Sequence, residues 1–161
     1  MSNESRLKEV ADSNIEEASN GIVKLLIADH DYMRRLMGII KSENASDDVI
    51  ERTFEELTHI VAAHVKAEEK TFFKLIKDNP AFEDEVLESY EEHRIHETVV
   101  ESIRTVDDRT RRVQQMKIFC EMLVHHIDEE EEDLFPKFKK FSSESVQKKI
   151  GHNFLEVRKD P

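Results

Sequence analysis

The chain has 161 residues, with 36 acidic against 24 basic side chains and a formal net charge of −12, a balance that repels nucleic-acid backbones and anionic membranes alike. Only three Gly and three Pro interrupt a composition rich in Glu, Lys, Leu, Ile and Val, which favours helix over sheet in a single domain. One cysteine, Cys120, excludes an intrachain disulfide framework; with no N-terminal apolar run and nothing near the roughly 20 apolar residues of a membrane span, the expectation is a soluble cytoplasmic protein without nucleic-acid or membrane partners.

Residues 1–16 are polar and read as a flexible N-terminal arm ahead of one globular domain over residues 17–158. A first helix is predicted from about Glu17 to Lys41. Val23, Leu26, His30, Met33, Met37 and Ile40 recur along it at steps of three and four, the period of a buried bundle stripe. Ser46 is placed to cap a second helix, Asp47–Lys77, with Asp47 and Asp48 at its positive start. Its stripe is Ile50, Phe54, Leu57, Val61, His64, Glu68 and Leu75. Asp78-Asn79-Pro80 reads as a turn. A third helix covers about Ala81–Arg104, with Val86, Tyr90, His93, Glu97, Val100 and Ile103 inward and His96 off that line. A fourth covers about Thr110–Lys140, where Met116, Phe119, Leu123, His126 and Glu130 share a face; Pro136 should kink it or begin its end. Ser143 can cap a last short helix to about Val157, interrupted by Gly151. Four long helices with short loops give an all-α, up-down-up-down four-helix bundle with a short C-terminal helix.

One pattern occurs twice in this frame, 62 residues apart. His64 to Phe73 reads H-V-K-A-E-E-K-T-F-F, and His126 to Phe135 reads H-I-D-E-E-E-E-D-L-F. His, the two following Glu and the last Phe are identical. On a helix, a His and the Glu four residues later lie about 40° apart on one face, and an imidazole beside a carboxylate is half of a transition-metal site. His30 and His93 add one inward His from each remaining helix. Placing His30, His64, His93, His126, Glu68 and Glu130 inside a bundle is destabilising unless something compensates them. A pair of metal cations does so. The absence of a thiolate cluster excludes zinc fingers and iron–sulfur clusters. Four His speak against calcium, and imidazole with carboxylate suits iron, manganese or zinc. If Glu68 and Glu130 both bridge, coordination positions are left over for a small molecule. Glu69 and Glu131, about 100° further round, are expected to back the ligands or face solvent. On a distorted helix Glu131 competes with Glu130. His59, His96, His125 and His152 lie outside the set, and Cys120 is read as a small buried hydrophobe.

Asp29-His30, His64-x-x-x-Glu68-Glu69, Glu92-His93 and His126-x-x-x-Glu130-Glu131 followed by Leu134-Phe135-Pro136 resemble the hemerythrin-like, or HHE cation-binding, family over roughly residues 20–157. The resemblance implies a four-helix bundle holding two iron ions, bridged by two carboxylates and by an oxo or hydroxo group. Where the invertebrate oxygen carriers have a further His on the third helix, this chain has Glu97; it has Glu131 where they use Asp. Glu97 either fills that position or leaves it to water. The pattern looks more like the iron-sulfur repair di-iron proteins and the eukaryotic iron-sensing hemerythrin domain. The function so implied is binding or reacting with oxygen, nitric oxide or peroxide, for sensing, scavenging or storage, with Tyr32, Met33 and Tyr90 as candidates to line the access. The alternative is an iron- or oxygen-responsive interaction module in which metal controls folding and partner binding without catalysis. The residues do not by themselves separate carrier, sensor and enzyme, nor name a protein partner.

Overall fold

A computed structural model describes residues 21–159, and the regular structure in that range is helical. The expected N-terminal arm and the first turn from Glu17 lie outside the described residues. Helix α1 spans Ile22–Ile40 and α2 Asp47–Glu68. A π-helical turn, Glu69–Phe73, and a short α-helical piece, Lys74–Ile76, extend α2. Helix α3 spans Glu83–Arg104 and α4 Arg109–Glu129. A second π-helical turn, Glu130–Leu134, and the helix Phe135–Phe141 extend α4, and α5 spans Glu144–Arg158.

Side-chain caps fix three of the starts. The hydroxyls of Ser46 and Ser143 accept from the amides of Val49 and Val146, and the Asp108 carboxylate accepts from Arg111. Helix α1 packs on α2, α3 on α4, and α4 on α1, which forms the bundle. Helix α5 lies against α1 and α2. The expected interruption at Gly151 is not there: α5 runs through it, and Gly151 is buried in the packed face. One helical Gly costs only about 1 kcal/mol relative to Ala.

Two other expectations shift in phase. Leu75 is 44 % exposed, whereas Phe72, Phe73 and Ile76 are buried. The π turn inserts one residue into the α repeat, so the inward stripe moves one position onward after Glu68. On α3 the buried positions are Val86, Ser89, His93, His96, Val100 and Ile103. Tyr90 is half-buried and Glu97 exposed, so the strict three–four alternation selects His96 and turns the carboxylate of Glu97 outward. Pro136 lies at the start of the last helical piece, which follows the π turn directly and ends at Phe141. Pro136 offers no amide to the carbonyl of Glu132, and the wider turn, with Phe135 N–H donating to Glu130 O, carries the chain across that gap.

The apolar interior is in two parts. One gathers the start of α1 with Phe72, Phe73, Phe82, Phe135, Phe138 and Phe154. The other gathers the end of α1 with Phe54, Leu57, Phe119, Cys120 and Leu123. Among the described residues no helix is long and apolar enough to cross a membrane. Burial pushes the Cys120 thiol up to about 12, so the native protein is expected to leave a thiol reagent unreacted at pH 8 and to consume one equivalent after denaturation. Rapid native labelling would show that this core opens.

Candidate metal centre

Between the two apolar clusters lies a layer of six buried polar side chains: His30, His64, Glu68, His93, His126 and Glu130. One His comes from each helix of the bundle. Glu68 is fully buried and Glu130 is 2 % exposed. The ligand atoms fall into two groups, Glu68, His93, His126 and Glu130 in one, His30, His64 and Glu130 in the other. Glu68 Oε2 lies 3.8 Å from His64 Nε2 and 3.6 Å from His93 Nε2. Glu130 places Oε2 3.4 Å from His30 Nε2 and Oε1 3.2 Å from His126 Nε2. Each carboxylate thus stands between a His of the first hairpin and a His of the second.

The other ring nitrogens point outward, each to a carboxylate. His64 Nδ1 is 2.9 Å from Asp29, His93 Nδ1 2.8 Å from Glu69, His126 Nδ1 2.9 Å from Glu92 and His30 Nδ1 3.0 Å from Glu131. The pairing runs in one sense around the bundle: α1 to α2, α2 to α3, α3 to α4, and α4 back to α1. An ionised carboxylate only accepts, so each Nδ1 donates and each Nε2 faces inward. The repeated motif is now accounted for residue by residue. Its second Glu holds the His of the following hairpin, and its final Phe stacks on that same ring: Phe73 on His93 and Phe135 on His30, each with centroids 5.7 Å apart. The distorted helix expected at Glu131 is present, yet Glu130 occupies the interior while Glu131 binds His30.

Further residues fix the first hairpin. Arg34 donates to both oxygens of Glu131 and to Asp128. Arg158, on α5, donates to Asp29, and Phe154 packs edge-on against His64. Helix α5 thereby supports His64. Behind the two His of the second hairpin, Glu69 and Glu92 each line a cleft. His96 is buried against His126 and Phe119; burial, then His126 and His93, drive it down to about 4, so it is neutral. Its position in the three–four alternation of α3 could have flagged it. His59, His125 and His152 are exposed, and Glu97 is exposed on the rim of a cleft. Tyr32 bonds Glu56, Met33 is in the apolar core, and Tyr90 packs on Phe73.

The electrostatics show what the layer requires. Both oxygens of Glu68, both of Glu130 and Nε2 of His64 are buried without a hydrogen-bond partner. His93 Nε2 and His126 Nε2 approach to 3.0 Å, a separation that two inward lone pairs need a proton or cation to hold. Burial, then Glu130, raise the Glu68 carboxyl well above its usual range. Burial opposes the charge on His126, but Glu130 and Glu92 hold it up to about 11. Burial likewise opposes ionisation of Glu130, and His126 overcomes it. Inward nitrogens and unpartnered oxygens in a dry layer fit metal cations by donor type and by charge.

An unpartnered buried carboxyl destabilises the fold. Glu68→Leu is expected to stabilise the metal-depleted protein by about 1–4 kcal/mol, read as a raised urea midpoint. A lowered midpoint would show that Glu68 already has an adequate partner.

Searches against curated proteins and solved structures gave no match. A protein-family model described as the hemerythrin HHE cation binding domain matches residues 21–138, a span that contains all four His, both central Glu and the four carboxylates behind them. The chain belongs to the hemerythrin HHE cation-binding family.

Proposed function

We propose that the chain holds a non-haem di-iron centre and uses it to bind or react with oxygen, nitric oxide or peroxide, in sensing, scavenging or storage. The observation that carries this reading is the convergence of four inward-turned Nε2 atoms on four unpartnered carboxylate oxygens. His30 and His64 would serve one iron, His93 and His126 the other, with Glu68 and Glu130 shared between them. Sharing two carboxylates between two His pairs favours two metals over one. When bound, the metals would supply Lewis acidity and redox capacity.

The surrounding residues have separable tasks. Asp29, Glu69, Glu92 and Glu131 orient the rings and raise their basicity. The apolar clusters on either side exclude water. A cleft of about 510 Å³ between α2 and α3 reaches His93 and Glu69, with Val61, Val65, Val100 and Phe119 among its walls. That lining suits a small neutral molecule on its way to the His93–His126 side, where Glu97 remains at the rim and is not a ligand in this reading.

The same buried oxygens support a second reading, an iron-responsive interaction module. Metal would relieve their burial, so its loss would loosen the bundle and alter a partner surface.

Aerobically purified protein is expected to contain two irons per chain and to absorb between roughly 320 and 400 nm through ligand-to-metal charge transfer. Folded protein with no affinity for iron would overturn the centre. Asp29→Asn and Glu69→Gln are each expected to weaken metal binding about 10–100-fold, measured by chelator competition; unchanged affinity would make those carboxylates mere surface charge. Ala62→Phe, which narrows the wide cleft, should slow the reaction of the reduced loaded protein with nitric oxide at unchanged iron content. An unchanged rate would exclude the cleft as the route. Loss of folding on chelation, in protein that turns over neither peroxide nor nitric oxide, would favour the switch.

A further inference from the structure

We propose that the cleft between α3 and the end of α4 is the inlet through which a hydrated divalent cation reaches the buried centre, with Glu88, Glu92 and Glu129 as its transit site. This rests on the metal-centre reading above. The cleft encloses about 80 Å³, room for about two waters or one partly hydrated ion. Ligand oxygens of Glu88, Glu92 and Glu129 lie within 4.8 Å of one another, close enough for a single cation to touch all three. Glu85 and Asp133 add two more carboxylates to the walls.

Acidic clusters are common on a chain of net charge −12. The floor distinguishes this one. His126 and Glu130 line the same cleft, and both Glu130 oxygens are buried with no hydrogen-bond partner. Glu92 joins outside to inside, since it lines the cleft and accepts from His126 Nδ1 at 2.9 Å. A cation leaving the outer carboxylates therefore meets Glu92 and then the nitrogen and oxygen donors of the centre. Two basic groups stand nearby: Lys137 bonds Glu85, and His125 lies 3.0 Å from Glu129. They offset part of the charge of five carboxylates. The wider cleft differs in character, since Lys70 and Arg94 stand on its rim among Glu97 and Glu101. It offers a cation no comparable attraction. Metal and small-molecule ligand would then reach the same His pair by separate routes.

The test is the rate at which metal-depleted protein takes up cobalt(II), followed by its visible absorption in a stopped-flow instrument. Three proteins are compared: wild type, Glu88→Gln with Glu129→Gln, and a charge-matched control, Glu97→Gln with Glu101→Gln. Neither double variant replaces a residue of the centre. At low ionic strength the first variant should load about tenfold more slowly than wild type, while the control stays within about twofold. All three should reach the same final cobalt content and spectrum, and added salt should close the gap. Equal rates in all three, or equal slowing in both variants, would overturn the inlet while leaving the centre standing. A wild-type chain that acquires no cobalt at all would remove the centre and the inlet together.

Discussion

The bundle is organised around a buried layer of carboxylates and imidazoles whose carboxylate oxygens lack hydrogen-bond partners. Glu68 and Glu130 bring four oxygens into an interior where their hydrogen-bond capacity goes unused, and four imidazoles direct their Nε2 atoms into the same space. Burial on this scale is unfavourable in isolation. It is tolerated because apolar clusters close on both sides of the layer and because every ring is held from behind. The layer divides the hydrophobic interior in two, and the helix geometry on either side follows from it. The π turns begin at Glu69, just after Glu68, and at Glu130 itself, where the chain sends one Glu inward and the next sideways.

Much of this was legible in the sequence. The four inward His, the two H-x-x-x-E pairs and the five helices follow from three–four periodicity and capping residues, and the six side chains do meet. What periodicity could not supply was phase beyond a π turn. Seven residues on from Glu68 an unbroken α repeat puts Leu75 inward, a phase that fails once an extra residue enters the turn. On α3, assigning Glu97 to the inner face favoured an i,i+4 pairing with His93, whereas packing selects His96. The outward partners were also out of reach. Asp29, Glu69, Glu92 and Glu131 look like ordinary surface acids, and their pairing with a His on the next helix depends on tertiary packing. The repeated Phe was visible as an identity without a role until its stacking on the neighbouring ring was seen.

The two halves of the layer are supported unequally. Arg34 and Arg158 bind the carboxylates behind His30 and His64, and α5 covers that side. The carboxylates behind His93 and His126 line clefts instead. Support is concentrated around one His pair and access around the other. Buried His96 adds a neutral ring beside His126 on the accessible side, packed so that it presents no charge to the layer.

The closed circuit of carboxylate and imidazole has a symmetry of its own. Each hairpin supplies one link internally, from its first helix to its second, and one link across to the other hairpin. Exchanging the hairpins by a half-turn returns the same set of links. Chemically, then, the joint between Ile76 and Glu83 is dispensable to the circuit: two identical copies of one such hairpin, associated about a two-fold axis, would close it equally well. The features that break the symmetry, Arg34 and the appended α5, are additions to a duplicated unit. They make the two His pairs chemically distinguishable.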